Sequence, residues 1–317
     1  MSRSGINPIQ ELKLIFHLFR IIKIIRPDLV ISYTIKPSAY IPILAKLFGC
    51  PSLAVVTGLG FAFLTNSVST ILARYSLKLG LNHATHIWFL NDDDKKTVCG
   101  IHQDLLNKSS IISGEGINID YFDDGLFPNL NDKKYFTFLM VSRILIDKGV
   151  IEYCEAASCI KKKYPESRFQ FLGSIDNNNP AGISPHEWQR LCNKYQIDYL
   201  GQVQDIRSII AAVDVVVLPS YREGIPLVLL EAGAMRRPLI ATNVAGCRDV
   251  VSDGKNGFLV KPKDSKDLAL AMEKMINLST ETFSQMKLMA RLITKEKFEI
   301  SIILERYKAI IIRLLKY

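Results

Sequence analysis

Two α/β domains, each a doubly wound parallel sheet, are predicted by three features of this sequence. Short apolar, β-branched runs alternate with helix-like segments along the chain, as in βαβ units that set helices on both faces of a parallel sheet. The length of 317 residues suits two domains, at roughly 150 residues each. A stretch rich in Asp, Asn, Gly and Pro, from Asn118 to Lys134, separates one βα series from a second and reads as a linker.

In the first series, Leu29–Tyr33 reads as a strand, Ala39–Phe48 as a helix and Leu53–Thr57 as a strand. Ser67–Leu81 then reads as a helix, His86–Leu90 as a strand, Asp94–Leu106 as a helix, and Ile111–Ile112 as a short apolar run. The second series runs from strand Phe136–Val141 through helix Val150–Tyr164, strand Phe169–Leu172 and helix Pro185–Tyr195. It continues with strand Asp198–Leu200, helix Asp205–Ala212, strand Asp214–Leu218, helix Pro226–Met235 and strand Pro238–Ala241. Helix Ser265–Leu278 and a helical region over Thr280–Leu315 close the chain. The domains are expected at 1–125 and 126–290, with 291–317 a terminal helix that packs back on the first.

Ligands of such sheets sit beyond the carboxyl ends of the strands, so the loops after strands carry the chemistry. After Asp214–Leu218 comes Pro219-Ser220-Tyr221-Arg222-Glu223-Gly224-Ile225-Pro226-Leu227, with Glu231 further into the helix. Proline suits a helix start because its φ is already helical and its missing N–H would be unpaired there. The free N–H groups of that turn attract anions, phosphate above all. Carboxylates on both sides of an anion site suit a ligand with phosphates and hydroxyls, such as a nucleotide sugar, although a strand–turn–helix unit whose glutamates merely cap and solvate has the same spacing. After Phe136–Val141, Arg143 offers a guanidinium able to grip phosphate with two parallel N–H bonds and Lys148 a mobile point charge. Basic residues are common in loops, and this pair gains meaning from opening on the same sheet edge as Glu223 and Glu231.

After Leu53–Val56 comes Thr57-Gly58-Leu59-Gly60-Phe61, whose glycines let backbone approach a ligand. Phe63 stands where a dinucleotide-binding GxGxxG needs its third glycine, so that fingerprint fails. Asp92-Asp93-Asp94 could hold Mg²⁺ or Mn²⁺, but acidic residues also favour a helix start, which is the preferred reading. The histidines at 17, 83, 86, 102 and 186 show no zinc spacing, and no metal is assigned. Asp253-Gly254-Lys255-Asn256-Gly257 has the Gly and Asn of a tight hairpin turn.

The formal charge is +9 and unevenly spread: residues 1–110 hold twelve Lys/Arg against six Asp/Glu, and residues 1–26 hold five against Glu11 alone. No nucleic-acid recognition motif accompanies this charge. The segment Glu11–Ile25, with Lys13, Arg20 and Lys23 among Leu, Ile and Phe and Arg26 just beyond, suits either an anionic membrane surface or a core-packing helix with a solvated basic face. The six cysteines form no CxxC pair and read as reduced thiols of a cytoplasmic protein.

With these loops in place, the chain resembles the retaining glycosyltransferases of GT-B fold known as family 4. The likeness runs from about Pro27 to Asn277. The E-x7-E motif matches Glu223 and Glu231, and the Arg/Lys pair matches Arg143 and Lys148, with Ser142 where the family usually has glycine. Ala245-Gly246-Cys247-Arg248-Asp249-Val250-Val251 and Gly257-Phe258-Leu259-Val260 fit the family's later pattern. Tyr33-Thr34-Ile35-Lys36-Pro37 and Val56-Thr57-Gly58-Leu59-Gly60-Phe61 are similar to bacterial enzymes that extend polyprenyl-diphosphate-linked glycans in O-antigen, capsule or glycoprotein synthesis.

The resemblance implies transfer of a hexose or N-acetylhexosamine from a nucleotide sugar, UDP by preference, to such an acceptor with retention and without a metal or other cofactor. Arg143 and Lys148 would neutralise the leaving diphosphate with the helix start at Ile225–Leu227. Glu231 would bind the ribose hydroxyls, and Glu223 with the Gly224–Ile225 backbone would hold the donor sugar. The implied place is the cytoplasmic side of the bacterial inner membrane, peripherally bound. Family members begin with a strand and a Gly-rich loop before the segment matching Pro27, so the first domain is expected to be incomplete at its N-terminus. That leaves open a non-catalytic nucleotide-sugar-binding remnant or split subunit; a sugar-nucleotide epimerase, the third reading, shares the two-domain architecture but relies on a different set of acids and histidines that this sequence does not show.

Overall fold

The computed structural model describes residues 8–60, 63, 67–127, 135–177 and 179–316. Two compact units emerge: residues 1–115 with 223–225 and 301–317, and residues 116–222 with 226–300.

The first unit is built on a parallel sheet in the order β1 (Val30–Tyr33), β2 (Ser52–Val56), β3 (His86–Phe89), β4 (Ser109–Ile111). β2 and β3 are buried along their whole length, as expected of strands covered on both faces. Around them stand α1 (Pro8–Ile25), α2 (Ile35–Leu47), α3 (Val68–His83), α4 (Asp92–Cys99) and α5 (Gln103–Asn107). Helix α2 begins four residues before the expected Ala39. Pro37 does not prevent this, because the first N–H groups of a helix have no intrahelical acceptor to lose. The expected single helix Asp94–Leu106 is two: Gly100, at φ +52°, turns the chain between α4 and α5. Asn91 caps α4, its Oδ1 accepting from Asp94 N at 2.8 Å, so the acidic run is a helix start.

The second unit holds a parallel sheet in the order β10-β9-β8-β5-β6-β7. Its strands and helices alternate as β5 (Thr137–Val141), α6 (Val150–Lys163), β6 (Arg168–Leu172), α7 (Pro185–Tyr195), β7 (Asp198–Tyr199), α8 (Arg207–Ala211), β8 (Val215–Leu218) and α9 (Leu227–Ala234). Then come β9 (Leu239–Thr242), α10 (Cys247–Val250), β10 (Gly257–Val260), α11 (Ser265–Ile276) and α12 (Thr280–Phe298). Its core joins Phe138, Tyr153, Phe169, Phe171 and Trp188 to the aliphatic faces of α6, α7 and α11. The hairpin expected at Asp253–Gly257 is absent. The turn leads instead into β10, which runs parallel to β9 after the α10 crossover, with Gly257 opposite Leu239. A side chain there would place its Cβ 1.9 Å from the Leu239 carbonyl oxygen, which explains the glycine.

The expected terminal helix, Thr280–Leu315, divides at Glu299 into α12 and α13 (Ile300–Leu315). The break lets the backbone pair with Ile117: Ile117 N donates to Phe298 O at 2.8 Å and Ile300 N to Ile117 O at 2.9 Å. From Ser301 the chain belongs to the first unit, where Tyr307 lies edge-on to Trp88 and Arg313 bonds His86. The described part of the expected linker is held in place. Arg291 donates to Phe122 O and Asp123, and Arg236 pairs with Asp123 and Asp124, so 118–127 is fastened to the second unit; 128–134 lie outside the described residues. Among the described residues, no helix is long and apolar enough to cross a membrane.

Candidate functional site

In the second unit the chain builds β5, β6 and β7 outward in one direction, then returns to lay β8 on the other side of β5. Loops leaving β5 and β8 therefore diverge, and the crevice at such a reversal is where open α/β sheets bind ligands. These are the loops that carry Arg143, Lys148 and the Pro219–Pro226 segment.

The Arg143–Lys148 loop is held from both sides. Toward β6, Ile144 N donates to Ser174 O at 3.0 Å and Ile146 N to Ala181 O at 2.8 Å. Toward β8, Tyr221 N donates to Asp147 O at 2.9 Å. The phenol of Tyr221 donates to Glu152 Oε1 at 2.6 Å, and burial together with that carboxylate holds it well above the usual tyrosine range. Thr242 of β9 donates its hydroxyl to Ser220 O. The exposed guanidinium of Arg143 meets Asp176 Oδ2 at 3.0 Å, and Lys148 ends a short 3₁₀ turn, half-buried. This loop is preorganised, with one cation reaching solvent and another beside the next helix start.

Helix α9 begins at Leu227. Pro226 is its cap in an extended conformation (φ −76°, ψ 113°), not its first turn as expected, and its own side chain makes no capping hydrogen bond. Glu231 is the fifth residue of α9, half-buried, and burial pushes its carboxyl up to about 7. A carboxylate in that state gains from neighbours that donate hydrogen bonds, as a pair of hydroxyls does.

The remaining expected residues lie in the first unit, to which Glu223, Gly224 and Ile225 belong. A Cβ on Gly224 would stand 2.1 Å from Thr57 O, and one on Gly58 would stand 3.3 Å from Gly224 N and Cα. Ile225 lies against Gly114. The structure thus brings Gly58 to Gly224, whereas Gly60 is exposed with open space at its Cβ position. Phe61 lies outside the described residues. Three participants were not expected from sequence: Asp176 on Arg143, Glu152 on Tyr221, and Asn91, whose Nδ2 donates to Gly224 O at 3.1 Å. Only Asn91 carried a signal, as a cap residue before an acidic run. Among the described residues, no three or more His, Cys, Asp or Glu are grouped to hold a metal ion.

The sequence model described as "Glycosyl transferases group 1" matches residues 135–277, and that described as "Glycosyl transferase 4-like" matches residues 1–91. The N,N'-diacetylbacillosaminyl-diphospho-undecaprenol alpha-1,3-N-acetylgalactosaminyltransferase of Campylobacter jejuni is 30% identical over 284 residues, 84% of this chain and 73% of that protein. The UDP-Gal:alpha-D-GlcNAc-diphosphoundecaprenol alpha-1,3-galactosyltransferase of Escherichia coli is 28% identical over 297 residues, 87% of this chain and 75% of that protein. Among solved structures, a glycosyltransferase of Rickettsia africae superposes with a TM-score of 0.78 at 20% identity, over all of this chain and 84% of that one. Sucrose-phosphate synthase of Thermosynechococcus elongatus gives 0.81 at 20% identity, over 96% and 78%. The GT-B fold expected from the motifs is the fold found.

Proposed function

Since this chain belongs to the glycosyltransferases of group 1, we propose that it moves a hexose or N-acetylhexosamine from a UDP-sugar to a polyprenyl-diphosphate-linked glycan, with retention, in the synthesis of a cell-surface glycan. The observation that carries this reading is the loop at the β5/β8 reversal, where Arg143 and Lys148 stand on a backbone held from two sides beside the open start of α9. The acceptor and the nucleotide are supported by the names of the Campylobacter and Escherichia relatives, both of which specify diphosphoundecaprenol glycans and one of which specifies UDP-galactose.

In this reading Arg143, Lys148 and the N–H groups at Leu227 and Val228 neutralise charge as the diphosphate leaves, with no metal ion. Charge stabilisation aimed at the developing anion is usually the largest catalytic contribution in such a site, and groups already fixed need no reorganisation. Glu231 accepts from the ribose hydroxyls, which favours its carboxylate form. Glu223 and the Gly224–Ile225 backbone hold the donor sugar, and Gly58 gives that backbone room. The acceptor hydroxyl attacks from the face the diphosphate leaves, its proton passing to the leaving phosphate oxygen.

The protein works at the cytoplasmic face of the inner membrane, bound peripherally through α1. On that helix Glu11 faces inward, pairing with Lys36 and accepting from Tyr40. Ile9, Leu12 and Phe16 are exposed on the outer side together with Lys13, Arg20 and Lys23, an arrangement suited to an anionic interface. The deciding experiment is transfer of radiolabelled sugar from a panel of UDP-hexoses and UDP-N-acetylhexosamines to bacterial lipid extract. Label is expected in the polyprenyl-diphosphate fraction and is lost in Glu223→Ala. UDP binding without transfer from any donor overturns the proposal.

A further inference from the structure

The side chain of Asn91 reaches the backbone of the Glu223–Ile225 segment within the first unit. Asn91, at the carboxyl end of β3, is 2% exposed and uses both ends of its amide. Oδ1 accepts from Asp94 N at 2.8 Å, and Nδ2 donates to Gly224 O at 3.1 Å and approaches Asp94 Oδ2 at 3.3 Å. The two kinds of partner fix which end is which, since only the oxygen can face an N–H and only the nitrogen can face two oxygens.

The peptide joining Gly224 to Ile225 is planar and trans, so its C=O and N–H lie on one rigid plate and point in opposite directions. Whatever anchors the Gly224 carbonyl therefore aims the Ile225 N–H. Thr57 O and Gly58 crowd Gly224, but crowding limits position without choosing a direction. The directional contact is the bond from Asn91.

We propose that Asn91 is a positioning residue for donor-sugar recognition, holding the Gly224–Ile225 peptide so that the Ile225 N–H meets the sugar. This rests on the assignment of Glu223–Ile225 to the donor sugar. The acidic run that follows Asn91 is accounted for by the start of α4, whereas capping uses only the amide oxygen. The nitrogen serves a residue 133 positions away.

Serine and aspartate cap helices about as well as asparagine, and neither carries an amide N–H toward Gly224. In the full-length protein, Asn91→Ser is therefore expected to keep slow hydrogen exchange across residues 92–99, whereas Asn91→Asp, which sets a buried carboxylate against Asp94 Oδ2 and Gly224 O, is expected to lower the melting temperature as well. They are expected to speed exchange of the Ile225 amide. Where a UDP-sugar is turned over, kcat should fall about tenfold or more, as small misplacements of binding groups do, while affinity for UDP alone changes less than twofold. A residue that only caps gives the reverse: wild-type exchange at Ile225 and wild-type kcat in Asn91→Ser, with damage in Asn91→Ala. That result overturns the proposal. Glu223→Ala, assayed in parallel, separates the two claims. Unchanged transfer in Glu223→Ala removes the donor-sugar assignment itself; loss there with wild-type Asn91→Ser removes only the role of Asn91.

Discussion

Gly149 lies so close to Pro219 that a Cβ on it would stand 2.1 Å from the Pro219 carbonyl oxygen. Its φ of +76° is also one that side chains resist. The two loops of the β5/β8 reversal are thus wedged together by the absence of one methyl group. Gly149→Ala is expected to cost more than about 2 kcal/mol, the strain of a left-handed residue plus a backbone clash. Gly254→Ala is the control, since Gly254 has a similar φ of +74° with nothing near its Cβ position. Chemical unfolding of both variants checks this. Equal losses would mean the contact with Pro219 contributes nothing.

In the cationic loop Arg143 pairs with Asp176, and removing one or the other should act differently on an anion. Arg143→Ala deletes charge-assisted hydrogen bonds worth about 1.5–3 kcal/mol each and should weaken UDP binding roughly 10- to 100-fold. Asp176→Asn keeps the guanidinium but loosens it, and should weaken binding by less than about tenfold. Calorimetric titration with UDP measures both.

Burial raises Glu231 from its ordinary value of 4.5 to about 7. The fold therefore binds this proton more tightly than the unfolded chain does, and stability from this group falls as pH rises between about 4.5 and 7. Glu231→Gln should raise the melting temperature at pH 8, where the wild type carries a buried charge, and make little difference at pH 4. UDP should bind wild type more tightly as pH rises through 7, because hydroxyl donors favour the carboxylate. In Glu231→Gln that pH dependence should disappear. Melting curves and UDP titrations across pH 4–8 test both directions.

Replacing Lys13, Arg20, Lys23 and Arg26 together by Gln removes cations worth about 1 kcal/mol each near an anionic surface. Sedimentation with phosphatidylglycerol vesicles should fall by two orders of magnitude or more, with binding to phosphatidylcholine weak for both proteins. Unchanged sedimentation would take α1 out of the membrane proposal.

Much of this was legible in the chain because each element records its own burial. The apolar runs at Leu53–Val56 and Val215–Leu218 are strands buried throughout, and Ser265–Ile276 buries Leu268, Met272 and Met275 on one helical face. The loops after strands carried the unusual residues, since a parallel sheet leaves its carboxyl ends free for ligands. Boundaries were less legible where proline fits a helix start, as at Pro37, or caps one, as at Pro226.

The sequence by itself determined that Arg143, Lys148, Glu223 and Glu231 sit beyond strand ends in a chain of two parallel sheets. It did not determine that β8 lies beside β5, that Asp176 meets Arg143, or that Asn91 grips Gly224. Periodicity reports which face of an element is buried, a local property. Strand order and loop-to-loop bonds depend on how separate elements pack, and a pair 133 residues apart leaves no periodic trace in a single chain.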